Sequence, residues 1–193
     1  DETKSDATTA KQDPVTLKLA VMVAIGTPGD KSAVDFKNMI EEKSNGLIKI
    51  DYYPGGQLGS NDEVTEQLLT GTLDLAWNTL DWYAKLESDW NVLGLGFCIK
   101  DKEHLKAFLE SDKNTEIKEH LLNTKGIRIL TDKGIAYPRV VISKFPVNTV
   151  NDLAGKNMRV PELTLYVKTW KALGVNCVTL ASGDMYMGLK QGI

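Results

Sequence analysis

In the stretch "GKNMRVPEL", Gly155 to Leu163, an arginine stands inside a segment that otherwise reads as a short buried strand, closed by Pro161. Arg159 in that place is either a solvated edge residue or a fixed cation set to meet an anion. A guanidinium suits the second task, because its planar fork matches a carboxylate, stays protonated and tolerates partial desolvation better than an ammonium. Catalytic sets are scarce by comparison. His104 and His120 stand amid lysines and glutamates on helical stretches, where solvation is the default, and Glu41 with Glu42 occupies polar helix positions. Cys98 and Cys177 lie far apart in apolar settings, with no histidine near either, and HExxH, CxxC and GxSxG patterns are absent. "PGGQLGS" leads into a helix but lacks both the P-loop ending and the spacing of a dinucleotide turn. Its glycines are expected to shape a strand-to-helix turn, and the helix N-terminus behind them is a second place for an anion. The expectation is a protein that is not an enzyme and that has no cofactor and no metal site.

Alternating elements must position Arg159. "VTLKLAVMV" sets Leu17, Leu19, Val21 and Val23 at period two, a strand. "KSAVDFKNMIEEKSNG" repeats Ala33, Phe36, Met39, Ile40 and Lys43 at helical spacing, with Gly46 as the stop, and "LIKIDYY" alternates again. Strand, helix and strand in this order make a right-handed parallel crossover. Ser60 with Glu63 then forms a capping box before the stripe Val64, Leu68 and Leu69, and Gly71 ends that helix ahead of the strand "TLDLAW". Helices are expected over Glu103 to Ser111 and Thr115 to Thr124, the second closed by Gly126 and followed by a strand "GIRILTD". "IAYPRVVIS" reads as a strand holding a proline and an arginine, and "FPVNTVNDLAGKNMRVP" as a loop into another short strand. The helix "ELTLYVKTWKALG" places Tyr166 and Trp170 on one face, as core. "VNCVTL" is a strand and "SGDMYMGLKQG" a final helix capped at Ser182. In open α/β sheets ligands sit beyond the carboxyl ends of the strands, so Trp77, Asn78 and Thr79, which end "TLDLAW", face a cleft. Trp77 either walls that cleft or fills the core, while Trp82, Tyr83 and Trp90 are weaker candidates that more often pack under a loop.

Composition sets the limits. With 23 basic and 26 acidic side chains the formal charge is −3, which argues against nucleic acid as a partner. No apolar run approaches the roughly 18 residues of a membrane span. The first segment, "DETKSDATTAKQDP", has the composition of a disordered tether, as in a processed exported protein, with a frayed cytosolic terminus as the rival reading. The two cysteines are either buried free thiols or a disulfide. The expected organisation is a tether over 1–14, an α/β domain over 15–136, and a second, incomplete α/β domain over 137–193, ending where the alternation demands another strand.

"YPGGQLGSNDEVTEQLLTGTLDLA", "NDLAGKNMRVPE" and "MYMGLKQG" resemble, in order and spacing, the successive signatures of the DctP-type solute-binding proteins of tripartite ATP-independent periplasmic (TRAP) transporters. The resemblance runs from about Val15 to the last residue. It implies a two-domain, Venus-flytrap architecture like that of other periplasmic binding proteins, truncated in its second domain. It also implies that Arg159, the arginine of "MRVP", forms a two-pronged salt bridge with a solute carboxylate, and that Arg139 in "YPRVV" matches a second family arginine. Where many members carry a proline-phenylalanine pair after the cleft, this chain has Gly96 and Phe97, and the family's polar residue beyond "LKQG" and its long interdomain helix are not in this sequence. The function so implied is an extracytoplasmic receptor that binds a small organic acid between its domains and delivers it to the membrane permease subunits of a TRAP transporter. The location is periplasmic or otherwise extracytoplasmic, free or lipid-anchored through a segment ahead of Asp1. The alternative is a sensory module of the same fold that feeds a signalling receptor. A sugar acid, dicarboxylate, keto acid or aromatic acid would each present a carboxylate to Arg159.

Overall fold

A computed structural model describes residues 13–134, 139–180 and 182–192. Nearly all of the expected tether, and the expected domain boundary at 136/137, lie outside them. Eleven helices and strands follow in order: β1 (Val15–Val21), α1 (Pro28–Lys43), β2 (Ile48–Tyr53), α2 (Asn61–Thr70), β3 (Leu75–Trp77), α3 (Lys102–Leu109), α4 (Asp112–Lys125), β4 (Asn157–Val160), α5 (Thr164–Ala172), β5 (Asn176–Thr179) and α6 (Met185–Gln191). Tight 3-10 turns at Leu80–Lys85 and Ser88–Gly94 follow β3.

β1 is the middle of a parallel sheet ordered β2-β1-β3, with Leu17 beside Ile50 and Leu19 beside both Tyr52 and Leu75. Its carboxyl end is covered on both faces, as parallel sheets require. Leu19 and Val21 meet Ala33 of α1 and Ile50, while Ala20 on the other face meets Val64 of α2 and Leu73. α1 begins at Pro28, three residues before the expected start, because Thr27 accepts from the Asp30 amide and the proline takes a position with no amide hydrogen bond to lose. α2 carries the expected capping box and ends at Gly71 in the left-handed conformation. A second parallel pair, β4 with β5, sets Arg159 beside Val178.

Four expectations need correction. The strand "TLDLAW" shrinks to Leu75–Trp77, because the amides of Thr72 and Leu73 are held by the Gln67 carbonyl at the end of α2. "GIRILTD" joins no ladder; Ile127 and Ile129 do point into a core of Tyr83, Trp90, Ile117 and Leu121, so the alternation marks burial without a neighbouring strand. Of "IAYPRVVIS", residues 135–138 lie outside the described residues, and Arg139 to Ser143 are exposed and outside any ladder. The last helix starts at Met185 behind a 3-10 turn, Ser182–Asp184, so its N-cap position is Asp184 rather than Ser182.

Candidate functional site

Chain order and strand order disagree at β1, since β2 lies on one side of it and β3 on the other. Such a switch opens a crevice beyond the carboxyl ends of the two strands. Trp77 stands at the lip, half-buried, its ring tilted against Phe36 at 5.8 Å between centroids and packed on the Leu19, Val21, Ala33 and Ile50 cluster. Asn78 bridges backward: its amide nitrogen donates to the Asn61 side chain at the start of α2, while its oxygen accepts from the Thr79 amide at 2.9 Å. The Thr79 hydroxyl donates to Asp81.

Asp81, in the 3-10 turn after β3, is only 9% exposed. A carboxylate so deep needs partners. Besides Thr79 it accepts from the Tyr166 hydroxyl of α5 at 3.3 Å and lies 3.6 Å from an Nη of Arg139. Arg139 in turn donates from Nε to the Tyr166 oxygen at 2.9 Å and stacks its guanidinium 5.0 Å from the centre of that ring. Burial, ahead of the neighbouring charges, raises the Tyr166 pKa, which keeps the phenol a donor. Gly94 lies close against the Tyr166 ring, where a Cβ would come within 3.2 Å of it.

Arg159 is half-buried in β4, and its Nε donates to the Leu180 carbonyl at 2.8 Å, which fixes the plane of the guanidinium. Among the described residues no carboxylate stands within ion-pair distance of it. Burial first, and the like charge of Arg139 second, lower its pKa, the expected direction for a cation without a counter-charge. A groove of about 400 Å³ opens alongside, between Asp62 and Lys85 on one side and Glu162, Leu163 and Thr164 on the other. Neither arginine lines it.

The structure therefore brings Thr79 and Arg139 together through Asp81 and sets Arg139 and Arg159 within reach of each other's charge, and among the described residues neither Trp77 nor Asn78 makes a hydrogen bond or ring contact to either arginine. Tyr166, expected in the core, instead faces Arg139 and Asp81, because a tyrosine with an apolar body can end in a polar tip that seeks partners. Asp81 carried no local signal at all. The rival anion site after "GGQLG" is filled from within the chain: the Glu63 carboxylate accepts from the Ser60 amide at 2.7 Å, which lowers its pKa. His120 bonds Glu87 at 2.8 Å on an exposed helix face, both cysteines are free and half-buried, and the described residues hold no metal-binding cluster. Among them no helix is long and apolar enough to cross a membrane.

Residues 19–193 match the family model "Bacterial extracellular solute-binding protein, family 7", DctP. The sialic acid-binding periplasmic protein of Vibrio cholerae is 27% identical over 91% of this chain and 54% of its own length. The C4-dicarboxylate-binding protein of Bacillus subtilis is 28% identical over 84% of this chain and 46% of its own. Among solved structures, a TRAP periplasmic solute-binding protein of Ochrobacterium anthropi with bound L-fuconate is 32% identical with a TM-score of 0.84, over 93% of this chain and 59% of that one. Another, from Desulfovibrio salexigens in complex with diglycerolphosphate, shares the fold at 24% identity and a TM-score of 0.85, over 93% of this chain and 57% of that one. The α/β fold is thus that of TRAP periplasmic binding proteins, and the chain spans about half the length of the curated relatives it matches.

Proposed function

Because the chain belongs to family 7 of the bacterial extracellular solute-binding proteins, a family of receptors and not of enzymes, we propose that the whole protein captures a small organic acid outside the cytoplasm and hands it to the permease of a TRAP transporter. Arg159 carries the reading. It is a half-buried cation, fixed by a backbone carbonyl at the carboxyl end of a parallel strand and without a carboxylate partner among the described residues. Sialic acid, C4-dicarboxylates and L-fuconate, the solutes in the names of the relatives, all present a carboxylate. In this reading Arg159 grips the carboxylate two-pronged, while Arg139, paired with Asp81, stands within reach of its charge. Trp77, Asn78 and Thr79 shape the opposite wall. Two domains close over the solute, so that its anion is desolvated only when the second wall arrives.

A charge-assisted bond of this kind contributes about 1.5–3 kcal/mol, against about 8 kcal/mol for micromolar binding, so one arginine decides whether solute is held. Calorimetric titration of the full protein with a panel of organic acids and their methyl esters tests it. Micromolar binding of an acid, lost in the ester and in Arg159→Ala, is the expected result. Equal affinity for acid and ester overturns the mechanism.

A further inference from the structure

Asp81 is the only carboxylate among the described residues within ion-pair distance of either arginine of the site. Two donors and one cation converge on it from three places: the hydroxyls of Thr79 beside it and of Tyr166 from α5, and Arg139 from the segment between the two sheets. Arg139 is thereby both neutralised and occupied, its Nε on the Tyr166 oxygen, an Nη near Asp81 and its plane on the Tyr166 ring. Among the described residues Arg159 has no such counter-charge. The other charged groups nearby are exposed: Asp62 pairs with Lys85, while Glu162, Lys168 and Lys171 face solvent, where salt screens them within about 8–10 Å.

We propose that Asp81 sets the charge selectivity of the receptor: by cancelling Arg139 it leaves Arg159 as the one uncompensated guanidinium among the described residues of the site, so the site takes singly charged acids in preference to doubly charged ones. The inference rests on the carboxylate reading above. Two guanidiniums and one carboxylate sum to a single positive charge. A monoacid completes that balance, whereas a second carboxylate on the solute enters the field of Asp81 with no further guanidinium among the described residues to meet it. Like-charge juxtaposition of this kind excludes wrong ligands more than it strengthens right ones.

The test titrates the full protein with matched pairs of acids, lactate against malate and gluconate against glucarate, in wild type, Asp81→Asn, Arg139→Gln and the double variant, each checked for folding by its melting curve. Wild type is expected to favour the monoacid of whichever pair it binds. Asp81→Asn, isosteric but uncharged, moves the monoacid-to-diacid affinity ratio toward the diacid by about tenfold. Arg139→Gln moves it the other way, and the double variant, whose net charge equals that of wild type, returns it to within about threefold. If Asp81→Asn does not fold, Arg139→Gln and the double variant still decide the matter. A ratio unmoved in folded variants, or a wild type that prefers the diacid, overturns the inference while leaving the carboxylate reading intact. No binding of these acids or of any acid in the wider panel overturns both.

Discussion

At the end of β3, polar side chains satisfy one another: Asn78 bonds Asn61, Thr79 bonds Asp81, and Trp77 leans on Phe36. Behind them stands a core centred on Trp90 and Leu121, both fully buried, with the Trp90 Nε1 donating to an equally buried Asn114 at 2.9 Å. At the end of β4 the picture is reversed. Arg159 stands on a two-stranded sheet beside the buried Val160, held by one carbonyl and close to a like charge. One edge is complete without a ligand; the other carries a charge that a ligand would complete. In the reading proposed above, shape and charge recognition fall on different strands, so a substitution should affect folding on the first side and binding on the second.

Trp90→Ala tests that division hardest. It removes the largest fully buried side chain and strands the Asn114 oxygen, so unfolding by denaturant is expected to show a loss of about 3–5 kcal/mol. A loss under about 1 kcal/mol would mean that the β3 edge does not depend on its core. Arg159→Ala should do the opposite, costing about 2–5 kcal/mol of acid binding but no more than about 1.5 kcal/mol of stability, the value of its bond to Leu180. Large destabilisation with binding intact would make the arginine structural and erase the contrast. Ser60→Ala, which breaks the capping box of α2, should lower stability by about 1 kcal/mol without moving acid affinity. The smallest effect is common to both regions. Hydrogen bonds from the Ser60 amide to Glu63, the Tyr52 hydroxyl to Asp30 and the Thr149 amide to Asp152 lower those carboxyl pKa values in the folded chain. Groups depressed in this way add stability above their unfolded values, near pH 4, and lose it as pH falls through the folded values. Melting temperature should therefore decline below about pH 4, less steeply in Glu63→Gln, which removes one of the titrating carboxyls, than in wild type.

Local patterns carried most of the architecture. The spacing of Ser60 and Glu63 fixed a helix start, period two in β1 and β2 fixed their faces, and Arg159 before Pro161 marked a cation in a strand. What stayed hidden was non-local. Asp81 meets Tyr166 across 85 positions, and nothing in the local spacing of either residue announces the other. Tyr166 was misread because helical spacing with Trp170 reports a shared face without saying what lies opposite. "GIRILTD" failed for the related reason that alternation records which side chains are buried, while a strand also needs a neighbour to receive its hydrogen bonds.

The position of β1 has a kinetic consequence. The strand at the centre of its sheet is the first of the three in the chain, and both of its partners arrive later, each after a helix. No hairpin can start this sheet. Every ladder must wait for a long loop to close, and the entropy of that closure is spent before any strand pairing offsets it. Refolding of this half should be slow for its size and limited by the arrival of β2 and β3.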